Sequence, residues 1–401
     1  MNRHLQLLTF GLLFCLVLPA ATQQAGEGCT TAIIHGRASR SGAPILWKNR
    51  DTDFLSNKVI YVAESPYHYL ALINAGDTSG RWAYAGLNEE GFAIINSVAY
   101  NLPKDPEGMK DLEGNIMAEA LRKCRTIGEF EEYLRQNLGP SLGSWANYGV
   151  IDATGGSAVF EVHNHGYERF GAGDDPRGYL INSNFARSGI QGKGAGYLRF
   201  ERAKILFDRE KSISAAFILQ QVARDFGHVL LPHPGREELA RISQKTPRWI
   251  LTRDTIDREY TASAVVIEGR KPGRNHPPAT LWVILGEPLT SIAVPLWVES
   301  GRSSPPLWQG ETAPLNREAM RIKERLRPHR LPDKKDYINA TELINREGTG
   351  YLPVLLQTEG EILRLTADFL RKSRTRAEYA EFQDRMAQKA LSALRGIKTE
   401  K

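Results

Sequence analysis

The sequence predicts an α+β fold: large antiparallel sheets with helices packed outside them. Three observations lead there. Residues 29–101 run as short strand-like stretches separated by Gly, Pro and Asn/Asp turns. The apolar spacing then changes to three- and four-residue steps over Leu112–Leu138, as a helix requires. Strand-like runs return twice more with helical runs between them, in blocks rather than in the strict alternation of a doubly wound fold.

Taken in order, the chain opens weakly basic at Arg3 and His4, continues through the apolar "LQLLTFGLLFCLVLPA", and reaches small residues at Ala20, Ala21 and Ala25. That is the order of a signal peptide. The apolar run is shorter than the ~20 residues that span a bilayer and Pro19 ends it, which argues against an anchor. "CTTAIIHG", the turn "RSGAP" and "ILWKNRD" form a hairpin. "KVIYVAES", "YHYLALINA", "RWAYAGL" and "GFAIINSVAY" continue as strands. Leu112–Leu138 reads as one helical stretch containing Cys124. "NYGVIDATGGSAVFEVHNHGYERFG" and "GYLINSNF" are strands, and "YLRFERAKILFDRE" and "SISAAFILQQVARDFG" are helices. "TASAVVIEG", "ATLWVILGE" and "SIAVPLWVE" form a third strand group. The remainder is mostly helical, with a Pro-containing connector at "LRPHRLPDKKD". The implied divisions are 1–28 as signal peptide and short propeptide, 29–310 as the main domain, and 311–401 as a helical extension packed on it or continuous with it.

Hydrophobic residues make up 41% of the chain and charged residues 24%, so a sizeable core can form and disorder is excluded as the organising state. The net charge of +6 gathers toward the C-terminus, where solvated helix faces account for it. Nothing in the pattern points to nucleic acid, and no other stretch is apolar enough to span a membrane.

The chain has three cysteines. Cys15 would leave with the signal. Cys124 sits in a helix-like run, where a buried free thiol is common, although a bridge to Cys29 is open in principle. If the two do not pair, Cys29 is a free thiol in an oxidising compartment, and that invites a chemical explanation. A thiol nucleophile needs a base. A cut between Gly28 and Cys29 would supply one, because the freed α-amine has a pKa of about 8 and sits on the same residue.

"GCTTAIIHGRASRSGAPILWKNRDTDF" resembles the start of the N-terminal-nucleophile (Ntn) amide hydrolases. These include choloylglycine hydrolases, penicillin V acylases, acid ceramidase and the acyl-coenzyme A:6-aminopenicillanic acid acyltransferases. The resemblance covers Cys29 to about Gly301. It implies a four-layer αββα sandwich of two antiparallel sheets with helices outside, no cofactor, and hydrolysis of a linear amide. It further implies a precursor that cuts itself before Cys29, the nucleophile. In the family's Arg-x-x-Asp, the Arg maps to Arg50 beside the thiol and the Asp to Asp53, which would hold the α-amine; Asp51 is the substitute. "AGLNEEGFAIINS" is similar to the segment ending in a site Asn, here Asn96. "GYLINSNFA" is similar to the segment supplying an oxyanion Asn, here Asn184 with Asn182 as runner-up. "YLRFERA" is similar to a Ser-Arg-Phe-x-Arg helix start, giving Arg199, with Leu198 in the place of Ser.

The expected substrate is a small-molecule N-acyl amide with a hydrophobic acyl group, such as a bile-salt conjugate, penicillin V or an N-acyl amino acid, and the protein is expected to be secreted or periplasmic. Transfer of the acyl group to an amine, or a non-catalytic secreted binding protein, are the alternatives; association into a homo-oligomer stays open. Three lesser patterns are read as structural. "HNH" at His163–His165 lacks a neighbouring carboxylate or Cys in sequence, so it is not read as a metal site. "GKGAG" at 192–196 lacks the Gly-Lys-Ser/Thr ending of a phosphate loop. Asn339-Ala340-Thr341 is a glycosylation sequon with meaning only in a eukaryotic secretory pathway.

Overall fold

The computed structural model describes residues 28–77, 79–105, 110–273, 276–327 and 334–398. The expected signal segment, up to residue 27, and most of the Pro-containing connector lie outside the described residues.

Fifteen strands are present among the described residues. They are β1 (Gly28–Ile34), β2 (Ile45–Asp51), β3 (Asn57–Val62), β4 (Tyr69–Asn74), β5 (Ala85–Asn88), β6 (Ala93–Val98), β7 (Trp145–Ile151) and β8 (Ser157–His163). Then follow β9 (Gly166–Gly171), β10 (Tyr179–Asn182), β11 (Trp249–Leu251), β12 (Thr261–Glu268), β13 (Thr280–Leu285), β14 (Val294–Leu296) and β15 (Tyr337–Asn339). Two antiparallel sheets hold most of them. The first runs β10-β1-β2-β12-β13-β14 and the second β3-β4-β5-β6-β7-β8-β9, while β11 and β15 form a separate pair. The hairpins of neighbouring strands make the second sheet a near-continuous meander, as the short turns between its strands require.

The sheets lie face to face, with β1 and β2 against β6 and β7. Helices cover both outer faces. Helix α1 (Glu113–Lys123) packs on β4, β5 and β6, and α2 (Ile127–Asn137) joins the same apolar cluster through Phe130 and Leu134. Helix α3 (Tyr197–Asp208) covers β1 and β10. The helices Pro314–Leu326, Leu352–Phe369 and Arg376–Gly396 pack on β13 and β14. The four-layer α+β sandwich expected from the sequence is therefore present, and the C-terminal helices form part of its outer layer rather than a detached unit. Their Ile322, Leu355, Ile362 and Leu391 share one continuous cluster with Ile267, Val283 and Val294 of the first sheet. No helix among the described residues is long and apolar enough to cross a membrane.

The helical stretch over Leu112–Leu138 is in fact two helices. The chain breaks at Cys124, whose backbone is extended, and Thr126 caps the second helix by accepting the Glu129 N–H at 3.2 Å. Thr126-x-x-Glu129 is an N-terminal capping signature that outweighs the continuous apolar spacing. Cys124 is thus a buried residue just past the end of α1. It is a free thiol, and burial pushes it up to about 12, so it is unreactive near neutrality.

The C-terminal helices are also tied down by charge. Arg224 and Glu359, both fully buried, form a bidentate pair at 3.1 and 2.8 Å, and Glu359 accepts the Ala293 N–H at 2.7 Å. Removing one member leaves the other charged and unpaired in a dry interior, which costs about 3–5 kcal/mol. Arg224→Ala is therefore expected to lower the urea midpoint by that equivalent, whereas Arg224→Met with Glu359→Leu should recover most of the loss. A single variant as stable as the wild type in equilibrium unfolding would contradict this.

Candidate active site

β2 is a central strand, paired with β1 on one side and β12 on the other, and all seven of its residues are buried. Its last four are Lys48, Asn49, Arg50 and Asp51. Four polar groups in a strand covered on both faces must each find a partner, and the alternation of the strand divides them into two sets. Lys48 and Arg50 share the face that looks toward the second sheet. Asn49 and Asp51 look toward the outer helices. The β1–β2 register pairs Thr31 with Lys48, Cys29 with Arg50 and Gly28 with Asp51, so the Cys29 side chain lies on the same face as Lys48 and Arg50.

On the outer face, the backbone of Cys29 is held by two side chains. Its N–H donates to Asn184 Oδ1 at 3.1 Å. Arg199 Nη1 donates to the Cys29 carbonyl at 2.6 Å and to Thr30 Oγ1 at 2.9 Å, while its Nη2 donates to the same Asn184 Oδ1 at 2.6 Å. Asp51 accepts from Arg258 Nε at 2.6 Å and Thr261 Oγ1 at 2.8 Å, and lies 3.7 Å from Arg199. Burial pushes the Arg199 guanidinium down to about 10; Arg258 adds to this, and Asp51 opposes it. Burial also works against the charge of Arg258, yet Asp51 holds it above its usual range. Asp51 is thus a buried anion between one buried guanidinium, Arg199, and one part-buried, Arg258.

Gly28 is fitted to this cluster. A Cβ there would lie 2.5 Å from Arg258 Nη2, 2.8 Å from Asn184 Oδ1 and 3.1 Å from Arg199 Nη2. These are ends of side chains, but each is pinned by the bonds just described, so none can retreat cheaply. The "GKGAG" loop also serves the site. Ala195 N–H donates to the Asn184 carbonyl at 3.1 Å, and Gly196, with φ 79°, turns the chain into α3, which carries Arg199.

On the inner face, Cys29, Lys48, Arg50, Tyr84, Asn96, Asp111 and Glu113 line a cavity of about 70 Å³. Lys48 Nζ donates to Asn96 Oδ1 at 2.6 Å and to the Tyr84 carbonyl at 2.8 Å. Asn96 Nδ2 donates to Glu113 Oε2 at 3.0 Å. The Arg50 guanidinium lies 3.7 Å over the Tyr84 ring, and its Nη1 donates to Asn57 Oδ1 at 3.0 Å.

The structure brings five of the six expected residues together: Cys29, Arg50, Asn96, Asn184 and Arg199. Asp53 is the exception. β2 ends at Asp51, so the alternation that would place Asp53 on the same face stops, and Asp53 is exposed on the following loop. Asp51, opposite Gly28 in the register, is the aspartate at the Gly28–Cys29 junction instead. Arg199 grips the backbone of Cys29 rather than its sulfur. Asn184 Nδ2 donates to the Val98 carbonyl at 3.0 Å and Asn96 Nδ2 to Glu113 at 3.0 Å, and each amide nitrogen carries a second N–H. Asn182, the runner-up, reaches the site only through its backbone carbonyl, toward Thr31 Oγ1 at 3.5 Å. His165, read as lacking a carboxylate partner, has one in Asp105 at 2.7 Å, brought there by the fold; no group of three metal-ligating residues forms among the described residues. Lys48, Glu113 and Arg258 were not anticipated. The available signal was the polar run inside "ILWKNRD", which a buried strand tolerates only around a built site.

No protein-family model matches the chain, and no curated protein sequence does. Solved structures similar to it include a variant of the conjugated bile acid hydrolase from Clostridium perfringens, at 14% identity over 64% of this chain and 89% of that one, with TM-score 0.38. Another is the Caenorhabditis elegans ortholog of N-acylethanolamine-hydrolyzing acid amidase, at 12% identity over 60% and 92%, with TM-score 0.40. A third is penicillin V acylase from Agrobacterium tumefaciens, at 15% identity over 66% and 85%, with TM-score 0.38. These are distant likenesses.

The two aspartates separate experimentally. Asp51→Ala leaves the buried Arg199 and the part-buried Arg258 guanidinium groups without their anion and is expected to cost about 3–5 kcal/mol. Asp53→Ala, on an exposed loop, should stay within about 0.5 kcal/mol of wild type. Equilibrium unfolding of both variants checks this, and equal effects would mean that the strand ends elsewhere.

Proposed function

We propose that the chain is an exported hydrolase of linear amides that matures by cutting its own Gly28–Cys29 bond and then uses Cys29 as an N-terminal nucleophile. The observation that carries this reading is the seat of the scissile junction. The Cys29 N–H is fixed on Asn184, its carbonyl is fixed on Arg199, and the residue before it has no room for a side chain. A junction of that kind is ordinarily a loop; here it is the first pair of a buried strand.

In maturation, the Cys29 sulfur attacks the Gly28 carbonyl carbon. The C–N bond breaks as the C–S bond forms, and the nitrogen takes the thiol proton to become the α-amine. Water then hydrolyses the thioester, releasing the upstream segment with a Gly28 carboxylate. In turnover, the α-amine, lodged near Asn184 and Asp51, takes the proton of the Cys29 thiol and returns it to the leaving nitrogen. The acyl group stays on sulfur as a thioester until water removes it as a carboxylic acid. Donors aimed at the tetrahedral oxyanion are worth about 3 kcal/mol each. The site needs no metal for this chemistry. The cavity beside Cys29 is small and lined by charged side chains together with Trp82, Tyr84 and Val98, so it offers both polar and apolar contacts to an acyl amide.

Two measurements test the reading. Intact mass and N-terminal sequencing of the exported protein should give a start at Cys29, with Cys29→Ala remaining uncut and Gly28→Ala cut far more slowly. A panel of N-acyl substrates, assayed for released amine, should show turnover that Cys29→Ala abolishes. A fully active wild type that starts upstream of Cys29 would rule out the amine as base.

A further inference from the structure

We propose that Glu113, acting through the Asn96 side chain, aims the Lys48 ammonium at the Cys29 sulfur, making Lys48 a cation of the site and Glu113 its positioning residue. This rests on the hydrolase reading only in the use to which the cation is put.

The argument begins with Asn96. A side-chain amide has one acceptor oxygen and one donor nitrogen, and coordinates alone do not distinguish its two orientations; the neighbours do. One neighbour, the Lys48 ammonium, donates only. The other, Glu113, presents an acceptor in either protonation state, and its second oxygen is already taken by the Trp145 N–H at 3.3 Å. A single orientation satisfies both: oxygen to Lys48 at 2.6 Å and nitrogen to Glu113 at 3.0 Å. Glu113 therefore decides which end of Asn96 meets Lys48. Were the amide free to turn, its NH₂ could face the ammonium, and the lysine would lose its strongest anchor.

An ammonium has three N–H donors. Lys48 spends one on Asn96 and one on the Tyr84 carbonyl. The third is left for the cavity that Lys48 shares with Cys29. Arg50, on the same face, has its guanidinium stacked over Tyr84 and bonded to Asn57. Arg199 is spent on the Cys29 backbone. Lys48 is thus a cation placed to meet charge developing at sulfur or on the attacked carbonyl oxygen.

The surroundings keep the pair responsive to pH. Burial pushes Lys48 down to about 8; Arg50 adds to this, while Cys29, Glu113 and Asp51 oppose it. Burial pushes Glu113 up to about 8, helped by Asp111 and opposed by the Trp145 N–H, Lys48 and Asn96. Across that range Lys48 loses its positive charge while Glu113 gains a negative one, so the pair passes from net positive to net negative.

The test is the rate at which iodoacetamide alkylates Cys29 in the purified full-length protein at pH 7, resolved from Cys124 by peptide mass. Glu113→Ala should slow alkylation about tenfold, a modest share of the about hundredfold that a misplaced group can cost. Glu113→Gln, which keeps an acceptor for Asn96, should recover most of the rate, and Lys48→Met should be at least as slow as Glu113→Ala. The direction is decisive. A carboxylate that acted only by repelling a thiolate would give faster alkylation on removal, and a merely structural residue would give no change in the folded fraction. Unchanged or faster alkylation in Glu113→Ala, a Gln variant as slow as Ala, or an indifferent Lys48→Met would overturn the proposal. Should Glu113→Ala fail to fold, the Gln and Met variants still decide it. If the wild type cleaves no amide while alkylation follows this order, the hydrolase reading falls and the relay stands; the reverse pattern has the reverse meaning.

Discussion

The arrangement of this site depends on one register, that of β1 against β2. It sets Gly28 opposite Asp51, Cys29 opposite Arg50 and Thr31 opposite Lys48. Because side chains alternate along a strand, a slip of one residue would exchange the two faces of β2. Lys48 and Arg50 would then meet the helices, and Asp51 the second sheet. The register is secured by burial on both sides: Ile33, Leu46 and Trp47 are all fully enclosed, and β12 repeats the constraint from the other edge of β2. The apolar half of the hairpin thus fixes where its polar half can point.

Much of this was legible in the sequence. The start of β2 follows directly from "ILWKNRD", since an apolar start and a turn before it leave little freedom. The order of sheet and helix blocks follows from periodicity, and the resemblance at Cys29, Asn96, Asn184 and Arg199 leads to residues that do converge. What was hidden is of two kinds. The first is the point at which regular structure stops. Asp51 and Asp53 are indistinguishable while both are assumed to lie on a strand, and separate once the strand ends between them. Cys124 is the same case on a helix, decided by the cap at Thr126. The second is partnership across long separations. Glu113 and Arg258 lie 84 and 229 residues from Cys29 along the chain, and no local spacing announces them.

Electrostatically, the two faces of β2 are distinct compartments separated by the thickness of a strand. The outer compartment holds a buried anion between two guanidinium groups, tied to its neighbours at 2.6–3.7 Å. The inner one holds a lysine and a glutamic acid that burial draws toward a common value of about 8, with an amide between them. The backbone of Cys29 belongs to the first and its sulfur to the second. A residue whose main chain is immobilised on one side and whose side chain meets a titrating environment on the other has its position and its reactivity controlled separately.

The absence of room at Gly28 has a consequence for the life of the protein. The groups that crowd this position come from the far end of β10, from α3 and from the loop before β12, and they reach it only when the first sheet is complete and the outer helices have docked. If the bond after Gly28 is cut by Cys29, the cut is a checkpoint. A chain with an unfinished sheet keeps its upstream segment and has no free α-amine, so it carries a nucleophile with no base. Misfolded copies would then be silent rather than indiscriminately reactive, and the length of the polypeptide would record whether folding had succeeded.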